Sequence, residues 1–145
     1  MPSRNEAVIL LVEDNPADVR LFEEALRRHG AEVRLRVVRD GEEALRAIHG
    51  DPPFDHEPPP DLVVLDLNLP KTNGHEVLRH VKSDEALRHI PVIVLTTSGN
   101  AEDIAQAYDL HANCYIRKPV DLDGYMRAVH ACESFWLQVV RLPGR

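Results

Sequence analysis

The sequence is short of cysteine, of basic charge and of long apolar runs, and each shortage narrows what the chain can do. Its two cysteines, Cys114 and Cys132, form neither a CxxC pair nor a Cys/His ligand spacing, and they lie in apolar surroundings, so both are read as reduced core thiols. The formal net charge of −7 argues against a nucleic-acid surface, because phosphate backbones attract basic stripes and this chain carries an acidic, solvated face. The apolar run in "MPSRNEAVILLVED" is far too short to span a bilayer, and Glu13 and Asp14 stand where a leader would need its cleavage site. A cytoplasmic protein without membrane attachment is expected. No internal repeat is present.

What the chain does have is 145 residues at 43% hydrophobic content, enough for one domain with a real core, and an alternation of apolar runs with helical patterns. "AVILLV" (7–12), "LVVLDL" (62–67) and "PVIVLTT" (91–97) are continuous apolar runs, as expected of strands covered on both faces. "VRLRVV" (33–38) alternates like a half-covered or edge strand, and "CYIRKP" (114–119) is a short strand ended by Pro119. Between them lie helices: Asn15 as cap with Pro16 at the first position, a Val19, Phe22, Leu26 stripe and a stop at Gly30; then 40–50, 74–82, 100–112, and a long last helix over 121–140. The helix over 100–112 should face inward through Ile104, Ala107 and Tyr108 or Leu110. Five (βα) units predict an α/β fold, a doubly wound five-stranded parallel sheet of the flavodoxin-like order 2-1-3-4-5, as a single domain over 1–145. "GDPPFDHEPPPD" (50–61), whose five prolines forbid helix and ladder, reads as a lengthened surface loop.

In such sheets ligands bind beyond the carboxyl ends of the strands, where strand order reverses, here between the first and third. Glu13 and Asp14 end the first strand and Asp66 the third, so three carboxylates should converge at one mouth. Like charges at that range disfavour one another's ionisation unless something positive sits among them. A hard divalent cation, Mg²⁺ above all, meets that need with a few carboxylates, waters and phosphate oxygens. Thr96 offers a hydroxyl at the end of the fourth strand and Lys118 an ammonium at the end of the fifth. Together these make a phosphate site with a carboxylate oxygen in line to attack phosphorus.

Taken singly, each residue has a plainer reading: an aspartate at a strand end is usually a turn former, Thr96 an ordinary β-branched residue, Lys118 a solvated loop lysine and Tyr115 a core aromatic. Matching residues at all the relevant strand ends reverse that weighting. The eight histidines are read as mostly surface helix residues, since "HEVLRH" (75–80) has a spacing of five and not the i, i+4 of a zinc-binding HExxH helix.

With the acidic pair Glu13-Asp14, "LDLNLPKTNG" around Asp66, "TTS" from Thr96 and "KP" at Lys118-Pro119 in order and spacing, the chain closely resembles the receiver domain of two-component response regulators over almost its whole length. The resemblance implies that Asp66 accepts a phosphoryl group from the phosphohistidine of a sensor histidine kinase. It implies Mg²⁺ bound directly by Asp14 and Asp66, by Asn68 through its backbone carbonyl and by Glu13 through water. Thr96 and Lys118 would hold the phosphoryl oxygens, the Lys118–Pro119 bond would be cis, and Tyr115 matches the family's switch aromatic. "PKTNGHEVL" and "FWLQVVRLP" look most like the single-domain regulators paired with bacterial phytochrome kinases. The residue after Thr96, usually small in receivers, is Thr97 here, which bears on access to the phosphoryl group and so on the dephosphorylation rate.

The expected function is therefore a signalling switch without an attached output domain. The alternative is an enzyme, a small Mg²⁺-dependent phosphatase working through the same aspartyl phosphate; haloacid-dehalogenase-type phosphatases place an acid/base aspartate two residues after the nucleophile. Here that position is Asn68, which cannot do general acid–base work at neutral pH. In the last helix, Leu122, Met126, Val129, Cys132, Trp136 and Val139 recur every three or four residues and can cover the sheet, while Tyr125, Phe135, Val140 and Leu142 fall off that stripe. A second apolar face bearing aromatics predicts a symmetric homodimer through this helix and the neighbouring strand.

Overall fold

The computed structural model describes residues 6–30 and 32–144. Five strands, β1 (Ala7–Val12), β2 (Val33–Val38), β3 (Leu62–Leu65), β4 (Val92–Thr96) and β5 (Cys114–Arg117), alternate with helices α1 (Pro16–Arg28), α2 (Gly41–His49), α3 (Gly74–Ser83), α4 (Ala101–Asp109) and α5 (Leu122–Glu133). The strands form one sheet in the order β2-β1-β3-β4-β5, and every pairing is parallel. The doubly wound arrangement expected from the alternation is thus the one observed.

Strand periodicity distributes the core. Ile9 and Leu11 of β1, Leu62 and Val64 of β3, and Ile93 and Leu95 of β4 face a cluster with Phe22 and Leu26 of α1 and Met126 and Val129 of α5. The alternate residues Leu10, Val12, Val63, Leu65, Val92 and Val94 face the other way, against α2, α3 and Ala107 of α4. Two residues per pleat thus put α1 and α5 on one face and α2, α3 and α4 on the other. Burial on both faces is why the central strands read as unbroken apolar runs. β2 is an edge strand and only its last residue is fully buried, as its alternating pattern requires.

Helix ends follow their caps. The Asn15 side chain accepts from Ala17 N and Asp18 N with Pro16 in the first turn, and α2 stops at Gly50, whose φ of 75° is the left-handed conformation that glycine adopts without a Cβ penalty. The segment over 50–61 carries neither helix nor strand; Phe54 packs on the core beneath it, and Asp61 Oδ2 accepts from Val8 N at 2.8 Å.

Two details differ from expectation, the Lys118–Pro119 bond and the end of the last helix. The only cis peptide among the described residues is Pro52–Pro53, so Lys118–Pro119 is trans; trans is the intrinsically favoured form of an X–Pro bond, and with it Lys118 N already donates to Thr96 O at 2.7 Å. The inward face of α4 is as expected, Ala107 being buried and Leu110, of the two alternatives, packing against the core while Tyr108 is half exposed. The last helix does not run as one α-helix to residue 140: from Ser134 to Val139 it is a π-helix. Its i→i+5 bonding widens each turn and moves later residues off the α-helical stripe. Val139 is therefore exposed, as is Leu122 at the other end, whereas Tyr125 and Leu142, expected on the outer face, are buried in the domain itself. Phe135 does stand half exposed.

Candidate functional site

At the carboxyl ends of β1 and β3 the backbone carries the sheet one step past the strands. Glu13 N donates to Val38 O at 3.0 Å and Asp66 N to Val12 O at 3.1 Å, so both acidic residues are fixed by ladder bonds before their side chains turn into the mouth. Gly74, the first residue of α3, is required there: a Cβ would lie 2.5 Å from Asp66 O and from Leu67 Cα, so only glycine lets the helix start this close to the Asp66 backbone.

The side chains then converge. Glu13, Asp14 and Asp66 each bring a carboxylate oxygen within 4.8 Å of the others; Glu13 and Asp66 are buried and Asp14 is exposed at the lip. The Thr96 hydroxyl, fully buried at the end of β4, donates to Asp66 Oδ1 at 2.8 Å. Asn68 N donates to the same oxygen at 3.1 Å. Lys118 Nζ donates to Asp66 Oδ2 at 3.2 Å, to Asp18 Oδ2 at 2.8 Å and to Glu13 Oε1.

Crowding shows in the charges. Burial pushes the Glu13 carboxyl up to about 7; the hydrogen bond from Lys118 pulls the other way and the charge on Asp66 adds to the rise. Burial also works against the Lys118 ammonium, but its hydrogen bonds to Asp18 and Glu13 and the charge of Asp66 outweigh it, so its pKa lies above the ordinary lysine range. One ammonium thus neutralises part of a cluster that still holds more negative than positive charge. An all-oxygen donor set with that surplus suits a hard divalent cation.

Of the residues expected at the site, the fold brings together Glu13, Asp14, Asp66, Thr96 and Lys118. Asn68 meets Asp66 through its backbone N–H and turns its side chain to solvent. Tyr115 does not reach Asp66; it is half-buried on β5, and its hydroxyl donates to Ser98 O at 2.8 Å, on the loop after Thr96. Thr97 is exposed. Asp18 went unnoticed in the sequence, where an acidic residue in a first helical turn reads simply as a partner of the helix dipole. Tyr125 was missed too: its hydroxyl donates to Asp18 O at 3.3 Å, and its pKa is raised by burial and then by Asp18.

The sheet thus carries a buried aspartate at its switch point, with acidic neighbours and with a hydroxyl and an ammonium on its two oxygens. The family model of the response regulator receiver domain matches residues 9–130, and the chain belongs to that family. It is similar to the response regulator Rcp1 of Synechocystis sp., 45% identical over 136 residues that cover 94% of this chain and 92% of that protein. Among solved structures it is similar to the phosphorylated cyanobacterial phytochrome response regulator RcpA (TM-score 0.92, 46% identity, 96% of this chain and 99% of that one). It is likewise similar to the Mn²⁺-bound form of Rcp1 (TM-score 0.91, 44% identity, 95% and 99%). No helix among the described residues is long and apolar enough to cross a membrane.

Proposed function

We propose that the chain is a single-domain, cytoplasmic response regulator that takes a phosphoryl group on Asp66 from the phosphohistidine of a sensor histidine kinase, specifically a bacterial phytochrome. The observation that carries this reading is the state of Asp66: Thr96 Oγ1 and Lys118 Nζ donate to its two different oxygens, so both donors stand ready to pass to phosphoryl oxygens once the carboxylate becomes an acyl phosphate. A carboxylate oxygen of Asp66 attacks phosphorus in line with the P–N bond. That bond breaks with its electron pair going to the imidazole nitrogen, and water later returns Asp66 to carboxylate with release of inorganic phosphate. Asp14, Asp66 and the Asn68 carbonyl would hold Mg²⁺ directly and Glu13 would hold it through water, and the bound ion would neutralise phosphoryl charge.

Lys118 then leaves part of its carboxylate cluster to follow the phosphoryl group, drawing on the β4–β5 end of the sheet, where Tyr115 exchanges its bond to the loop after Thr96. Likeness to RcpA and Rcp1 over almost the whole chain supports the phytochrome pairing. The output is a homodimer through α5, its π-helical extension and β5, supported by the exposure of Leu122, Phe135 and Val139. A phosphatase reading is disfavoured because the amide of Asn68 cannot relay a proton, and the acidic surface disfavours nucleic acid as a partner. Mass spectrometry after incubation with acetyl phosphate and Mg²⁺ is the test: one phosphoryl adduct on the wild type and none on Asp66→Asn is expected. Undiminished incorporation in Asp66→Asn overturns the assignment, and rapid turnover of phosphomonoesters favours the phosphatase.

A further inference from the structure

At the end of the domain opposite the acidic mouth, three potential ligands from two helices meet. His49 is the last residue of α2, His80 lies in the last turn of α3, and Asp84 is the extended residue that caps the end of α3. Helices in this fold start beside the carboxyl ends of the strands and run back antiparallel to them, so these helix ends lie a full strand length from Asp66. His49 Nε2 and His80 Nε2 are 2.6 Å apart with their rings edge-on, and one ligand atom from each of His49, His80 and Asp84 lies within 4.8 Å of the other two. Both imidazoles are exposed and Asp84 is half-buried.

We propose that His49, His80 and Asp84 form a site for a borderline transition-metal ion, of which Zn²⁺ is the type, separate from the hard-cation pocket at Asp66. The donor chemistry separates the two: imidazole nitrogen selects zinc, copper and nickel, whereas the carboxylates of Glu13, Asp14 and Asp66 suit magnesium and manganese. The geometry needs only a small adjustment. Two nitrogens each roughly 2.0–2.1 Å from a tetrahedral ion stand about 3.3 Å apart, so the imidazole pair opens by roughly 0.7 Å, within reach of side-chain rotation at exposed helix ends. In the metal-free protein one ring must donate its N–H to the other; the ion replaces that bond and takes a lone pair from each. Asp84 Oδ1 accepts from Ala86 N at 2.8 Å, which orients the carboxylate while leaving it lone pairs for an ion. Three protein ligands leave one tetrahedral position for water. The ion ties α2 to α3, so its consequence is stabilisation of that helix pair and not phosphoryl chemistry.

The test is calorimetric titration of the full-length wild type with Zn²⁺ in saturating Mg²⁺, repeated on His49→Ala, His80→Ala and Asp66→Asn. All three changes leave the apolar core untouched, and circular dichroism checks the fold of each. The expected result is one Zn²⁺ per chain, affinity weakened roughly 10- to 100-fold or more in each histidine variant, and unchanged affinity in Asp66→Asn, with a Zn²⁺-dependent rise in melting temperature in the wild type that both histidine variants lose. Zn²⁺ binding that survives in His80→Ala, that disappears in Asp66→Asn, or that is absent from the wild type overturns the proposal.

Discussion

Lys118→Met isolates the charge at the centre of the site. Methionine keeps an unbranched stem of similar length and removes the ammonium that bonds Glu13, Asp18 and Asp66. Glu13 and Asp66 are 3% and 7% exposed, so their carboxylates would be left close together without a counter-charge, and breaking a buried pair by removing one partner costs about 3–5 kcal/mol. For a chain of this length each kcal/mol moves the melting temperature by roughly 2–4 °C, so a drop of roughly 6–20 °C is expected at pH 7.5 in EDTA. Two conditions should shrink it. A divalent cation supplies the missing positive charge, so the variant gains more from millimolar Mg²⁺ than the wild type. Acid does the same by another route. Glu13 is already pushed up to about 7, and Lys118 is a group that pulls it down, so in the variant Glu13 takes up its proton more readily still. A folded-state pKa raised above the ordinary 4.5 gives stability that is present below that value and lost as pH rises through the folded pKa, so the variant's deficit is smaller at pH 5 than at pH 7.5. The assay is thermal melting by circular dichroism of both proteins under the four combinations. A deficit that is equal with and without Mg²⁺ and at both pH values would show that the loss is packing, and the charge argument would fail.

Other consequences are open to direct measurement. Phe135→Glu should give a folded monomer in sedimentation at micromolar concentration, since Phe135 is half exposed, whereas Trp136→Glu should destabilise the fold because Trp136 packs against the α1/α5 cluster; a wild type that stays monomeric before and after phosphorylation removes the dimer. Gly74→Ala should cost about 1–3 kcal/mol in denaturant unfolding and slow acetyl phosphate labelling, because the new Cβ meets the Asp66 and Leu67 backbone; wild-type stability and labelling would contradict the close approach. Burial, then Cys114 and Glu133, pushes the Cys132 thiol up to about 12, so iodoacetamide should label it far more slowly at pH 8.5 than in the unfolded chain. Native labelling at the unfolded rate would contradict that.

The strands, their order and the convergence of five polar side chains at one mouth were legible in the sequence because they rest on local rules. A strand buried on both faces must be apolar at every position, and "AVILLV", "LVVL" and "VIVLT" are. Parallel topology then delivers every strand end to one edge of the sheet, so Glu13, Asp14, Asp66, Thr96 and Lys118 could be assigned to one mouth from their positions alone. Tertiary structure decided what depends on angles and distances between elements. Beyond Glu133 the inward face of the last helix turned on the change to π-helical bonding at Ser134, which no hydrophobic period announces, and Val139 went outward; Tyr125, within the regular α5, went inward beside Met126 because of how α5 packs on the sheet and α1. Asp18 joined Lys118 only because α1 packs beside β5's end, 100 residues away in the chain. His49 and His80, unremarkable in their own helices, met only because α2 and α3 lie side by side. Period and composition report which face of an element is apolar; which polar residues on two elements touch is set by how those faces pack, and that is a property of the folded chain alone.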